Sequence, residues 1–554
     1  MSDRIATAPA SFGERQLGRG PAIALLAAIL VLAAAVRFWR LGWGLDQRMS
    51  FPDERAFWES YLFAFSPPRW GSLFGHSLYY PTFYGYLSGA AVALAGALHF
   101  LAPSPDVFTA LFVARAVAAC AGLVTIVVVG LLGARGYGRD VAVVAAAIMA
   151  AVPFEAIQTH YASVDVLLGT TTALTLLASV VFLRERRASY AALSGACAAL
   201  GFCTKYNAGV FVAVPAWVVL EDLWRERSLR RFVKLGGALL AGFLVTTVVV
   251  CPPWIFETAA VLRQLRWIRY QATNGGWLPE GNHVSATLGW YGRPYLYQLV
   301  AALPFVLGWP IYLASLLGVL YALRRRAPVD RVLLVSLAVY FVLLGQTTAS
   351  FPRYLMPLFP ALAVLGARAL LALPLRGASR GALCVAVVAY GFALGFSQVD
   401  RFSYDQQFAL ADWLRRAFPR ALYPIVRVAV PGAMQSYYGL RLPLNRIGIE
   451  HVPASTGHWL EARPEAFVLP EWLATSIRRD RNDPALQAEL DRLESGTAGY
   501  HDVGRWRSTY LQESFYTWLD PAFASDLYVG EIGLRLYLRD DLLTAPPARA
   551  ADPR

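Results

Sequence analysis

Long apolar runs alternate with short polar segments over most of the chain. They lie near 21–38, 83–98, 107–133, 140–154, 164–183, 190–203, 207–221, 233–252, 296–322, 330–346, 354–374 and 380–397. A membrane-spanning helix needs about 20 such residues, with about 17 as a lower limit, so several runs depend on bundle packing or on their flanks. Short loops rich in Lys and Arg orient such a bundle, because they stay on the inner side. Arg4, Arg15 and Arg19 therefore place the N-terminus inside. The same rule puts Arg135/Arg139, Arg184/Arg186/Arg187, Arg225/Arg227/Arg230/Arg231/Lys234, Arg324/Arg325/Arg326 and Arg376/Arg380 inside. If every run crossed, Arg135 and Arg139 would fall outside and all later loops would have the wrong parity. The run 83–98 is short, rich in Gly and Ala, and follows the aromatic segment Tyr79-Tyr-Pro-Thr-Phe-Tyr84. Treating it as an interfacial or re-entrant helix removes the conflict. The pattern thus predicts a polytopic all-α membrane protein of about 11 transmembrane helices plus interfacial helices.

After 400 the pattern changes to an ordinary soluble mixture. Phe408 to Phe418 reads as an amphipathic helix, Ile425 to Val430 and Asp526 to Leu538 as strands, and Arg478 to Glu494 as a polar helix. The expected organisation is a cytoplasmic N-terminus at 1–20, a transmembrane domain at 21–399, and a small C-terminal α/β extracytoplasmic domain at 400–554. The plasma (inner) membrane is the expected location. A second surface helix is expected within 254–294, where Val261, Leu262, Leu265 and Ile268 share a face from which Arg263, Arg266 and Arg269 are largely excluded.

Composition agrees with the pattern: 554 residues, 57% hydrophobic and 16% charged. The mean hydropathy of +0.44 is far above that of soluble globular proteins. The net charge of +13 sits largely in clusters between apolar runs, as orientation signals do, and nucleic acid is not an expected partner. The five cysteines lie in or at the ends of apolar runs without metal-ligand spacing, and no disulfide framework is readable from them. The run at 21–38 ends in Arg37, Trp39 and Arg40 rather than a small-residue cleavage site, so it reads as an anchor.

Ionisable residues within or beside spans are costly and mark candidate sites. On the predicted outer face these are the pair Asp53-Glu54 just past the first span, His160 and Asp165 in one strip, Lys205 with Tyr206, and Arg353 with Tyr354. Each also has a plain structural role available. Asp53 and Asp165 can cap helices, Lys205 can snorkel, His160 can be a packing residue, and Arg115, inside 107–133, can bind a buried carbonyl. Lys205 and Arg353 nevertheless break the inside bias that the other short loops obey. Two cations facing a carboxylate pair describe an anion site beside a general base. That combination suits transfer from a phosphate-activated donor: the carboxylate takes a hydroxyl proton and the cations stabilise the departing phosphate.

At this point a family resemblance emerges. Pro52-Asp-Glu-Arg55 after a first span resembles the acidic motif of GT-C-type membrane glycosyltransferases. The nearer likeness is to the family 39-like group, which includes protein O-mannosyltransferases and lipid A aminoarabinose transferases. Tyr80-Pro-Thr-Phe-Tyr84 is similar to that group's Pro-Pro-rich aromatic segment, with Pro81 alone in place of the paired prolines and Tyr79 or Tyr80 where the aminoarabinose enzyme has lysine. His160 to Asp165 resembles the second-loop acidic motif, Lys205-Tyr-Asn a recurring Lys-Tyr element, and Arg353-Tyr-Leu-Met-Pro357 the late Arg-Tyr element. His283 ahead of Trp290-Tyr-Gly-Arg-Pro-Tyr295 resembles the aromatic loop before a later span. The likeness covers roughly 20–400. It implies a polyprenyl-phosphate-linked sugar donor, a lipid, glycan or protein acceptor, and inversion at the anomeric carbon. Asp53 would be the base, Glu54 and Asp165 would support acceptor or metal, and Lys205 and Arg353 would bind phosphate. The resemblance admits a divalent metal ion, for which Asp53, Glu54 and Asp165 are the candidate ligands. The main rival class is a transporter or flippase of lipid-linked or anionic solutes, which would show paired repeats and charges in broken helices near mid-membrane. No repeat is found, and the charges cluster in outer loops.

Overall fold

The computed structural model describes residues 17–45, 54, 80–101, 106–274, 294–347, 351–400, 402, 406–418, 426–431, 449–454, 460–461, 463–471, 474, 477–478, 484–506 and 533–542. Helices follow the apolar runs closely: α1 (Arg19–Phe38), α2 (Phe83–Ala97), α3 (Val107–Tyr137), α4 (Arg139–Ala150), α5 (Pro153–Gln158), α6 (Val164–Glu185) and α7 (Ala188–Phe202). They continue with α8 (Ala213–Glu226), α9 (Leu229–Val250), α10 (Thr258–Asn274), α11 (Trp309–Arg325), α12 (Pro328–Leu344), α13 (Phe359–Ala372) and α14 (Gly377–Asp400). Among the described residues, seven helical segments are long and apolar enough to cross a membrane, and three apolar helices are shorter.

Prolines account for where helices depart from the apolar runs. The run 140–154 is divided because Pro153 begins α5 and has no N–H to continue α4. A tighter 3₁₀ turn, Pro352–Leu358, precedes α13, with Pro357 inside it and Pro360 near the α13 start. The run 296–322 breaks at Gly308, whose φ of +74° suits glycine, before Pro310 restarts the helix. Tyr206–Val212 is likewise 3₁₀, so α8 begins later than the apolar run does.

Contacts sort the helix ends into two groups. At one end, Leu17 N–H donates to Asp140 (2.9 Å), Arg139 to Leu17 O (3.1 Å), Arg184 to Gly136 O (3.4 Å) and Tyr137 to Asp330 (2.6 Å). Arg186 and Arg331 both reach Glu221, and Arg368 pairs with Asp330. The basic clusters that lie in the described residues therefore meet at a single basic end. At the opposite end, Trp39 donates to Asp400 (3.0 Å), Trp43 to His160 O (3.1 Å) and Thr82 to Val250 O (2.7 Å).

The run 83–98 belongs to that opposite end. Phe83 N–H donates to Cys203 O (3.1 Å) and Tyr84 hydroxyl to Ala114 O (2.8 Å), so α2 starts beside the far ends of α7 and α9. The chain then enters α3 at Asp106, whose side chain caps the helix through Phe108 and Thr109 N–H. α3 ends at the basic end, so α2 begins and finishes on the same side. The expected surface helix also forms, as α10, with Val261 buried against Tyr206, Trp254, Ala260 and Leu265. Its Arg263, Arg266 and Arg269 are exposed.

The bundle centre is α6 and Pro352–Ala372, each 83% buried over its apolar window, whereas α9 is 17% buried and presents an apolar outer face. Beyond the bundle, α15 (Gln406–Ala417) and α16 (Pro484–Glu494) accompany a five-stranded sheet of order β2-β1-β3-β5-β4. Its strands are β1 (Val426–Pro431), β2 (Ile449–Ala454), β3 (Ala466–Pro470), β4 (Tyr500–Trp506) and β5 (Leu534–Arg539). β1 lies parallel to β2 and β3, and β5 antiparallel to β3 and β4. The helices and sheet share their own apolar cluster, which includes Leu414, Phe467, Leu490 and Leu536. The expected strand at 526–538 is seen from 534 onward, and its earlier part lies outside the described residues.

Candidate active site

Two acid–base groups stand at the end of the bundle away from the basic clusters. The first is built on Arg115, eight residues into α3. Its guanidinium grips Glu54 in a fork, with Nε to Oε1 at 2.7 Å and Nη2 to Oε2 at 2.9 Å. It also donates to Leu41 O (3.1 Å) and Trp43 O (2.7 Å) and lies over the Trp43 ring at 4.5 Å. Glu54 Oε1 further accepts Ala162 N–H at 2.9 Å. Both partners are fully buried, a placement that charges tolerate only when paired and hydrogen-bonded. The pair ties the stretch after the first span to α3 and to the segment leading into α6. Asp53 itself, the expected base, lies outside the described residues, as does His283.

The second group is centred on Asp165, in the first turn of α6. Lys205 Nζ donates to Asp165 Oδ1 at 2.8 Å, and Arg353 Nε stands 3.9 Å from Oδ2. Lys205 arrives from the turn after α7 and Arg353 from the 3₁₀ segment before α13, so three separate elements converge. Rings enclose the two cations. Lys205 lies 4.4 Å from the Tyr354 centroid and 5.5 Å from that of Tyr80. Arg353 lies 4.3 Å from Phe351 and 5.6 Å from Tyr354. Lys205 and Arg353 side chains are each only 12% exposed. The two groups are close along the chain: Asp165 is three positions beyond Ala162, which is bound to Glu54, a span of at most about 11 Å.

The remaining candidates have packing partners. His160 is wholly buried, with Nδ1 2.8 Å from Ala156 O, Nε2 2.7 Å from Trp39 O, and its ring stacked on Phe402. That arrangement pins α1's end to α5. Tyr206 packs against Trp254 and Phe202. The rings of Tyr80 and Tyr354 both stand against Lys205. As to a metal ion, no cluster of three or more His, Cys, Asp or Glu suited to one occurs among the described residues. Glu54 and Asp165 are each engaged by cations, so these described donors do not fit a metal centre.

Sequence reasoning missed the Glu54–Arg115 pairing and a second buried pair, Arg37–Glu155. Arg37 also donates to Ala33 O and Ala150 O (3.3 Å each). Gly122 makes room for that pair, since a Cβ there would lie 2.7 Å from Glu155 Oε1. The available signal was one basic and one acidic residue each at the same end of its apolar run.

Residues 107–252 match the family model for dolichyl-phosphate-mannose-protein mannosyltransferases. This segment contains Arg115, His160, Asp165, Lys205 and Tyr206, and over these residues the resemblance to protein mannosyltransferases is borne out. No curated protein matches the chain. Among solved structures, the Archaeoglobus fulgidus oligosaccharyltransferase in its apo form is 12% identical, covering 94% of this chain and 88% of that one at a TM-score of 0.48. ArnT from Cupriavidus metallidurans bound to undecaprenyl phosphate is 15% identical, covering 94% and 98% at 0.48. AglB from Archaeoglobus fulgidus with an inhibitory peptide and a dolichol-phosphate is 12% identical, covering 89% and 74% at 0.47. Likeness at this level carries no weight for function.

Proposed function

We propose that this membrane glycosyltransferase moves a sugar from a polyprenyl-phosphate donor to an acceptor hydroxyl on a lipid, glycan or protein. In this reading the site lies on the outer face, eleven helical passages cross the membrane, and the C-terminal segment is extracytoplasmic. One observation carries the reading: Lys205 and Arg353 converge on Asp165 within an aromatic enclosure. A ring face stabilises a cation without neutralising its charge, so the field remains available to a phosphate. Asp53 takes the proton of the acceptor hydroxyl, and the oxygen attacks the anomeric carbon opposite the phosphate. The bond from that carbon to the phosphate oxygen breaks with inversion, and the polyprenyl phosphate leaves with the bonding pair. Lys205 and Arg353 hold its charge, Asp165 keeps both cations aimed, and Arg115 anchors Glu54, the residue next to Asp53.

The test is binding of polyprenyl phosphate to the full chain in lipid nanodiscs, paired with mass spectrometry of envelope glycans and glycolipids from a deletion strain. Saturable binding and loss of a defined sugar are expected. No binding, with an unchanged glycan profile, would overturn the reading. Cysteine labelling should place 135–140 inside and residue 500 outside.

A further inference from the structure

The proposed outward orientation gives a second meaning to two buried cysteines that the chemistry does not use. Cys203 follows α7 and Cys251 follows α9, both at the end opposite the basic clusters, and both are wholly buried. The two thiols are neighbours, with Thr82 and Thr247 beside them. Backbone contacts fix the same juxtaposition independently: Phe83 N–H donates to Cys203 O (3.1 Å), while Thr82 hydroxyl donates to Val250 O (2.7 Å). Consecutive residues of one strap thus clamp both helix ends. Farther down, Gly195 of α7 and Gly242 of α9 let each backbone touch the other, which holds the two helices in fixed register. Phe202, Tyr206 and Trp254 close the site laterally. Cys120, Cys197 and Cys384 meet no second sulfur among the described residues.

We propose that Cys203 and Cys251 are a disulfide site that staples the Lys205 turn to the end of α9. Two cysteines at helix ends clamped by adjacent residues of one strap can be joined by an S–S bond without a change of fold. The inference rests on the outward reading, because disulfides persist in oxidising compartments and not in the cytosol. In the step, two thiols lose two protons and two electrons, one S–S bond forms, and a disulfide-bearing protein oxidant is reduced to its dithiol. The consequence is local. Cys203 is two residues from Lys205, so the cross-link fixes the base of the turn that delivers this cation to Asp165.

The full chain, acid-quenched from membranes, is denatured without reductant and alkylated. Three reactive thiols rather than five, with a linked peptide spanning 203 and 251 in non-reducing mass spectrometry, is the expected result. Five thiols overturn the proposal. Labelling at residue 500 then separates the causes: outward labelling with five thiols removes the disulfide alone, and inward orientation removes the outer-face reading as well. A second measurement covers stability. Reductant should lower the melting temperature of the wild type to that of Cys203→Ser, Cys251→Ser and the double variant, with all three alike. A wild-type melting temperature indifferent to reductant contradicts the staple.

Discussion

The two ends of the helical bundle use the same residue types and do different things with them. At the basic end, Glu221 takes Arg186, Arg225 and Arg331, and Asp222 takes Arg186 and Arg231. Three of these arginines are substantially open, Arg225 at 42%, Arg231 at 39% and Arg331 at 34%, whereas Arg186, at 15%, is enclosed and shared between the two carboxylates. At the opposite end, Lys205 and Arg353 are enclosed and meet ring faces as well as a carboxylate. Arg368 is the nearest parallel at the basic end, sandwiched by Tyr137 and Tyr321. It is a single cation on Asp330, whose carboxylate also holds Tyr137 hydroxyl and Ala327 N–H. Charge count therefore does not separate anchor from site. What differs is that two enclosed cations share one carboxylate and also meet ring faces: arginines held by carboxylates alone stitch helices together, and the Lys205–Arg353 arrangement is what we propose as a receptacle for an anion.

The comparison breaks most visibly at Asp53. Asp53→Asn keeps the shape and most capping capacity of the side chain but cannot accept a proton. Turnover should fall by roughly 10²–10⁴-fold with donor binding retained. The matching change at the basic end, Asp222→Asn, should lower stability while leaving turnover per folded molecule near wild type. Equal turnover losses in both variants would mean that the ends are not functionally distinct.

Glu54→Gln comes next and should act on folding before chemistry. It leaves Arg115 buried without its counter-charge, a loss of about 3–5 kcal/mol. Thermal melting in detergent should show the drop, and Glu54→Gln combined with Arg115→Met should recover part of it. A stable Glu54→Gln protein with crippled turnover would instead return Glu54 to the chemistry.

Much of this contrast was legible in the amino-acid order. Apolar periodicity located nearly every helix, and the basic loops identified which ends meet. Lys205 and Arg353 were conspicuous because they violated that bias. Local signals could not reveal partners: Arg115 and Glu54 are 61 positions apart, and Arg37 and Glu155 are 118 apart, so only the packed bundle joins them. His160 shows the converse. Its neighbourhood to Asp165 suggested substrate contact, whereas both ring nitrogens sit against carbonyls of α5 and the α1 end. Helix breaks at Pro153 and Gly308 were also underweighted, because uniform hydropathy conceals a backbone interruption.

A sharper comparison sets Lys205→Gln and Arg353→Gln against Arg331→Gln. Charge-assisted hydrogen bonds contribute about 1.5–3 kcal/mol, so each of the first two should weaken polyprenyl phosphate binding by roughly 10- to 100-fold. Arg331→Gln should leave that affinity unchanged. Binding by all three at wild-type strength would reduce Lys205 and Arg353 to interfacial anchors.

Arg225→Gln should have the smallest effect of all. Its guanidinium meets Glu221 one helical turn back, but the side chain is 42% exposed and water screens the pair. Exposed pairs at this spacing contribute only about 0.3–0.5 kcal/mol. Glu221 keeps Arg331 at 2.9 Å and Arg186 at 3.7 Å, so the carboxylate is not abandoned when Arg225 goes. Melting temperature, donor affinity and turnover should all remain close to wild type. A marked loss of stability would show that the basic end depends on each of its ion pairs, as the Glu54–Arg115 pair does at the other end. The division between open stitching and enclosed receptacle would then fail on its structural side.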